Sequence, residues 1–584
     1  MANGNKPKPA FFIAILAVVA GLVAFSFYRC NAKKEAPETT APIDINAVHK
    51  QAGGGSAGSA VAENPDPNGV TTVKEYSFEP ATRLKEIKEA SDYKALGKPR
   101  VVKFAVNVWA GWAPIIWANH GNKAGKIWKD SKGGEFQVEL TLVDDPTKMA
   151  TVYANGDVHI GWATVDMLPL IVERLKKDAR LTPRVFQQID WSNGGDGIVA
   201  RDNIKNIGDL RGKTVALAQY SPSHYFLLNV LLNGGVQPSE VNMKFTGDAF
   251  QAAAAFNGDK DIAAAVSWSP DIYNLTKPNS GNKLLLSTQT ANRLIGDVWF
   301  ARADFARDNP EIIEGLVRGI LDATDDLSAP GADAKKTEVG ALMDEFYSLP
   351  KGTGQGMLGD AHWCNYAENR DFFLNQNNPT NFERTYNTAF LLYKAIRAVD
   401  TKVPFDQIMD FSVIKKLGSD AKYSASKNEY EFKFTPTANV EVNVENAVLT
   451  KTVTVNFFPN SFDINKKVPA AGGGGEVPYD PNVDNTLEES GKLAGTFGAA
   501  RIQISGHTDA SMRANGADEN LVRELSLNRA NAVKQALLNK FKKLDPNQFI
   551  TAGYGWDKPA DPKDPENHAK NRRVEIKVVP AEAQ

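Results

Sequence analysis

An arginine inside an apolar helical stripe constrains this chain more than any other feature. Over residues 521–541 the side chains Leu521, Leu525, Ala532, Val533, Ala536 and Leu537 recur at the spacing of one helix face. Arg529 lies four residues from both Leu525 and Val533, so it falls within that stripe. A guanidinium taken out of water is costly unless something pairs with it. One acid on offer is Asp509, just past residues 501–505, whose alternation predicts a half-buried strand. Either the two residues form an internal salt bridge, or together they clamp a zwitterion. In the second case the carboxylate takes an ammonium and the guanidinium takes a carboxylate.

Three blocks surround these residues in a fixed order. They are Gly506-His507-Thr508-Asp509, Leu525-Ser526-Leu527-Asn528-Arg529-Ala530 and Asn571-Arg572-Arg573-Val574-Glu575. This part of the chain resembles the peptidoglycan-binding module of OmpA-like proteins, which implies an α+β domain at 451–580. The resemblance implies that Asp509 and Arg529 hold the diaminopimelate of the peptidoglycan stem peptide, with Thr508, Asn520, Arg572 and Arg573 beside them. One of the two adjacent arginines is expected to pair only with strand neighbours of Glu575. Two departures stand out. The loop 510–520 is longer than the common form, and Val522 replaces an expected Asn, although Asn520 is close by. A strand at 453–458, a glycine-rich loop at 470–475 and a helix at 485–493 complete the expected module. No GK[ST] follows those glycines, so they read as a plain loop rather than a phosphate cradle.

Between 97 and 417 strands and helices alternate, with strands expected at 101–106, 136–142 and 213–218. That order argues for an open α/β sheet with ligands bound at strand ends. Four segments mark the loops: Trp109-Ala110-Gly111-Trp112-Ala113-Pro114, Asn155-Gly156-Asp157-Val158-His159-Ile160-Gly161, Asn206-Ile207-Gly208-Asp209-Leu210-Arg211-Gly212-Lys213 and Val266-Ser267-Trp268-Ser269-Pro270-Asp271. Together they resemble periplasmic solute-binding proteins of the nitrate, sulfonate, taurine and thiamine-precursor type. The resemblance implies a two-lobed periplasmic binding protein fold over 76–420. Its lobes would be 98–198 with 300–417, and 199–299, with crossing strands near 197–201 and 298–302. The cleft would be lined by Trp109, Trp112, Thr164, Asp166, Ser221, Ser223, His224, Trp268 and Asp271. Helix starts after Ala163 and Ser221 would offer free N–H groups to an anionic solute, although serine and threonine there also serve as plain caps. Any one of the tryptophans reads equally well as core, and His224 as a hydrogen-bonding group rather than a catalyst.

Residues 11–28 are apolar or small apart from Ser26 and the terminal Tyr28. At ~1.5 Å per residue they nearly span a ~30 Å hydrocarbon layer. No small-residue cleavage site follows, and Arg29 spoils a lipobox at Cys30, so the segment reads as an uncleaved anchor. Lys6 and Lys8 precede it and Arg29, Lys33 and Lys34 follow, so charge does not orient it. The wall-binding module does. The expected layout is a cytoplasmic 1–10, a transmembrane signal anchor at 11–28, a disordered linker at 29–75 and a connector at 421–450. The address is the inner membrane, single-pass, with the bulk in the periplasm of a Gram-negative-type envelope. A short amphipathic helix is expected over 80–96, carried by Leu84, Ile87 and Leu96, and an edge strand over 430–434.

The composition excludes several classes. A formal net charge of −2 with no basic stripe argues against nucleic acid. Two cysteines, Cys30 and Cys364, cannot build a disulfide framework, a zinc site or an iron–sulfur site. No Ser-His-Asp order or carboxylate pair stands out, so neither an enzyme nor a cofactor is expected. A proton-conducting stator is excluded too, because the 11–28 segment carries no acid. The leading expectation is a membrane-tethered envelope protein that binds peptidoglycan and a small-molecule solute, for transport or sensing, with an ABC permease as a candidate partner. The alternative is a structural tether whose middle domain binds a protein.

Overall fold

The computed structural model describes residues 69–580, apart from 89, 437–446, 471–473 and 515. The expected anchor at 11–28, the residues before it, Cys30 and the linker up to residue 68 lie outside the described residues. Among the described residues no helix is long and apolar enough to cross a membrane.

The first lobe begins with β1 (Val101–Val106), β2 (Trp128–Lys129), β3 (Glu135–Leu142), β4 (Ile160–Thr164) and β5 (Pro183–Ser192). The second lobe holds β6 (Asp196–Arg201), β7 (Thr214–Ala218), β8 (Asn242–Thr246), β9 (Ile262–Trp268) and β10 (Asn282–Ser287). The chain then returns to the first lobe as β11 (Gly296–Arg302) and later β12 (Ala361–Trp363). The sheet orders are β12-β5-β11-β4-β1-β3-β2 and β10-β6-β9-β7-β8. Strands such as β4 and β9 are almost wholly buried and read as unbroken apolar runs, as strands covered on both faces do.

The change of sheet therefore falls at 193–195 and 288–295. This corrects the expected crossings at 197–201 and 298–302. Those apolar runs are the first full strands after each crossing, and the crossing segments are short links between the sheets. The first lobe's core includes Phe104, Trp112, Phe186 and Trp299, with ring centroids 5.6–6.0 Å apart in successive contacts.

Among the described residues of 80–96 no helix forms, and the segment bonds both lobes, at its start through Thr82 N to Gln219 Oε1 at 3.0 Å. Its amide groups are bonded elsewhere, Ile87 N to Arg174 O and Ser91 N to Ala154 O. The fully buried Arg302 grips the Asp304 carboxylate at 3.0 and 2.8 Å and donates to Ser91 O and Tyr153 O. A helix this short is marginal in water, and these external partners outcompete it. The expected linker also ends early, since Thr72 donates through N and Oγ1 to Asp271, each at 2.7 Å.

The C-terminal module contains β13 (Leu449–Val453), β14 (Lys467–Pro469), β15 (Glu476–Pro478), β16 (Ala500–Gly506), β17 (Phe549–Gly553) and β18 (Val574–Pro580). Its four-stranded sheet runs β13-β18-β16-β17, and β14 pairs with β15. The strand expected at 453–458 lies earlier, because beyond Val453 the chain leaves the edge and carries Phe457 over Arg529. Helices Val483–Thr496 and Glu519–Lys540 pack on the sheet.

The buried stripe of the second helix is Val522, Ser526, Ala530, Val533 and Leu537, one position out of phase with the expected stripe at its start. Leu521 is 65% exposed. The cause is close approach. A Cβ on Gly506 would lie 2.0 Å from Ser526 O, and one on Gly553 would lie 2.4 Å from Arg523 O. Small residues meet the sheet, and Arg529 is left at the stripe's edge.

The 430–434 segment joins no sheet. The Tyr430 hydroxyl lies 3.1 Å from Asn193 Oδ1 and 3.0 Å from Asn292 O, reaching both crossings at once. The module touches the first lobe through Arg384–Glu488 at 2.8 Å and Lys543–Asp371 at 3.2 Å. It touches the second through Lys451 Nζ to Asn233 Oδ1 at 3.0 Å and Ile207 N to Val448 O at 3.3 Å. It also meets the crossing itself, where Arg293 N donates to Thr496 O.

Gly506→Ala should therefore push the 519–540 helix off its sheet and cost at least about 2 kcal/mol. Scanning calorimetry should show a lower midpoint for the module's transition, whereas Leu521→Ala should leave it within error.

Candidate functional site

Two sites emerge from these elements. In the C-terminal module, Asp509 follows β16 and is fully buried. It accepts from Ser511 N at 3.0 Å and pairs with Arg572 Nε. Arg529 does not form the alternative internal salt bridge. Its Nε donates to Ser461 O at 3.0 Å and its guanidinium lies 5.1 Å from the Phe457 ring centroid. Burial and the neighbouring Arg572 charge lower its pKa to about 10, partly offset by Asp509. Its terminal nitrogens have no partner among the described residues.

Thr508, Arg529, Arg572 and Arg573 line one cavity of ≈ 200 Å³, together with Phe457 and Tyr479. The buried Thr508 hydroxyl has no protein partner. Arg573 is held by Glu575 at 2.6 Å, and Arg572, paired with Asp509, is the half-exposed member of the two. Burial would raise Glu575, but His507 and Arg573 reverse that and hold it well below the carboxylate range. Asn520 lies outside the cavity, exposed in the first turn of the 519–540 helix, where its amide bonds the Asp518 cap. The longer loop carries it away.

In the middle domain the expected residues divide. Thr164 and Asp166 end β4 and enter the 165–167 turn; both are buried, and the Thr164 hydroxyl and both Asp166 oxygens lack a hydrogen-bond partner of ordinary geometry. Ser223 and His224 open the helix Pro222–Asn233, which packs on that turn, and Ser223 Oγ and His224 Nε2 are likewise unpaired. His224 Nδ1 accepts from Tyr220 N at 3.2 Å, and burial drives its pKa to about 3, so the ring is neutral.

Ser221 does not cap its helix through its side chain; its hydroxyl donates to Ala218 O at 2.7 Å. Trp109 Nε1 donates to Asp190 Oδ2 at 3.1 Å. The ring of Trp268 meets Phe250 edge-on, and its Nε1 has no partner. Trp112 is not a cleft residue but core, its Nε1 donating to Asn107 at 2.7 Å. Asp271 faces the N-terminal segment through Thr72, with Oδ2 unpaired.

The residues missed from sequence are Asp190, Asp196 and Asp297. Sheet register sets Asp297 opposite Thr164 on one side and Asp190 on the other. Asp196 begins β6 opposite Trp268. Each is the lone acid of its strand, and for Asp196 and Asp297 the apolar run beside it was the available signal. Burial raises Asp166 and Asp196 to about 7, and it raises Asp190 and Asp297 as well. The four also act on one another: Asp196 bears on Asp166, and all three others on Asp297.

Comparison with known proteins resolves the two halves. Residues 475–573 match the OmpA family, and residues 135–332 match the NMT1/THI5 like family. The chain joins an NMT1/THI5-like domain to an OmpA-family domain. The taurine-binding periplasmic protein of Escherichia coli (strain K12) is 26% identical over 225 residues, 38% of this chain and 67% of that protein. Outer membrane protein Omp38 of Acinetobacter baumannii is 38% identical over 97 residues, 16% of this chain and 24% of Omp38. Among solved structures, the periplasmic aliphatic sulphonate binding protein SsuA from Escherichia coli is 18% identical, covering 53% of this chain and 96% of its own, with a TM-score of 0.41. The SsuA protein from Methylobacillus flagellatus KT is 18% identical, covering 56% and 98%, with a TM-score of 0.42.

Burial sets a pH signature in the NMT1/THI5-like domain. Asp166 binds its proton near pH 7 when folded, but near 4 when unfolded. Its stabilising contribution is complete below pH 4 and is lost as pH rises towards 7. His224 acts in the opposite sense between pH 6.5 and 3, so the clean quantity is a difference between variants. The melting temperature of Asp166→Asn minus that of the unsubstituted protein, both ligand-free, should rise by several degrees between pH 4.5 and 7.5. A flat difference would mean that Asp166 is ionised throughout.

Proposed function

We propose that the chain is an envelope protein that binds peptidoglycan non-covalently through its OmpA-family domain and holds a small solute in its NMT1/THI5-like domain. The carrying observation is the 200 Å³ cavity, which presents the free end of Arg529 and the unpaired Thr508 hydroxyl beside Arg572, the partner of the buried Asp509. Diaminopimelate is a zwitterion that suits it. Its carboxylate meets Arg529, and its ammonium takes the place of the half-exposed Arg572 on Asp509. The anchor at 11–28 would tether the protein to the inner membrane, with both domains in the periplasm.

The relatives that bind taurine and aliphatic sulphonates support a solute of that type for the middle domain, bound rather than converted. The unpaired polar atoms buried between Thr164, Asp166, Ser223 and Trp268 favour this over a structural tether gripping a protein, because such a partner would need exposed surface. Delivery to an ABC permease or sensing are the two uses open to such a domain.

Asp509→Ala and Arg529→Ala should each abolish co-sedimentation with purified sacculi while retaining the melting profile of the module. Asn520→Ala should sediment normally. Retained sedimentation by both of the first two variants would refute the clamp.

A further inference from the structure

The acids of the middle domain form an arrangement that a sulfonate alone does not explain. Thr164, Asp297 and Asp190 stand abreast on three adjacent strands, β4, β11 and β5. Residues directly opposite in antiparallel pairs share a face, so the three side chains project together. Asp166 lies two residues beyond Thr164, and Asp196 starts the strand that follows the first crossing. All four acids are at least nine-tenths buried. Asp190 Oδ1 and both oxygens of Asp166 accept no hydrogen bond of ordinary geometry, although Asp297 lies close enough to Asp190, and the Thr164 hydroxyl to Asp166, to favour the ionised form of each.

A carboxylate so placed usually has an arginine or lysine beside it. Here burial is the largest influence on each, followed by neutral hydrogen-bond donors or the other acids, and among the described residues no arginine or lysine stands out beside any of the four. The cavity of the C-terminal module shows the opposite pattern, lined by Arg529, Arg572 and Arg573. A protein that holds four acids together without a counter-charge tolerates them only as neutral groups, or supplies the charge from outside.

We propose that the solute of the middle domain carries an ammonium group, seated among Asp166, Asp190 and Asp297. The inference rests on the reading of this domain as a solute-binding one and narrows it. The unpaired donors Ser223 Oγ and Trp268 Nε1 are left for an acceptor elsewhere on the solute. A bare alkanesulfonate would bring its negative charge towards the acids with nothing to offset it.

Isothermal titration of the full chain at pH 7.5 tests this with four probes: taurine, 2-aminoethanol, choline and ethanesulfonate. At least one amine-bearing probe should bind, with ethanesulfonate at least about 100-fold weaker than that probe. Asp166→Asn and Asp297→Asn should each weaken binding by about 10- to 100-fold, the usual worth of a charged hydrogen bond. Both replacements are isosteric with the protonated acid, so the fold should survive, and melting curves would verify that. Ethanesulfonate binding as tightly as taurine, or unchanged affinity in both folded variants, would overturn the ammonium assignment while leaving the solute reading intact. Silence from all four probes would overturn both.

Discussion

The return strand β11 is the constraint on which the middle domain depends. It enters the first lobe's sheet antiparallel between β4 and β5, yet it follows the whole second lobe in sequence. The first lobe cannot complete its sheet until the second has been threaded out and back. The same strand carries Asp297 at its start and Arg302 at its end. At one end it therefore brings acids from three strands together. At the other, a buried guanidinium ties down the incoming N-terminal segment. Contacts between residues this far apart in sequence cost loop-closure entropy before they return anything, so this domain belongs with slow-folding topologies.

The two sites show opposite electrostatic designs within one chain. In the C-terminal module the buried Asp509 pairs with Arg572, and burial together with the Arg572 charge lowers the Arg529 pKa. In the cleft, acids crowd one another and burial forces protons onto them. Each arrangement is under strain in the sense that a ligand of complementary charge would relieve it.

How much of this could be read from the residues alone depended on the kind of signal. The strands at 101–106, 136–142 and 501–505 stood out because a covered sheet needs apolar runs or strict alternation. Asp509 and Arg529 stood out because a local pattern surrounds each. The helix stripe was misphased because hydrophobicity favours Leu521, whereas the sheet accepts Ser526 and Ala530 at its glycines. The segment 80–96 was misread because its backbone partners, Arg174 and Ala154, lie far along the chain. Asp190, Asp196 and Asp297 were invisible as a group for the same reason: each is solitary in sequence, and only strand register makes them neighbours. Trp112 and Asp271 passed as cleft residues because a motif gives proximity to a loop but not the direction of a side chain.

The docking of the wall module has an energetic consequence. It contacts both lobes and the segment between them, while Tyr430 reaches both crossings. Any separation of the two lobes has to stretch or break some of these bonds. The spacing of the lobes and the seating of the module are then two sides of one equilibrium, and what favours one state at either end favours it at the other. A pull on the C-terminal domain would be felt between the lobes.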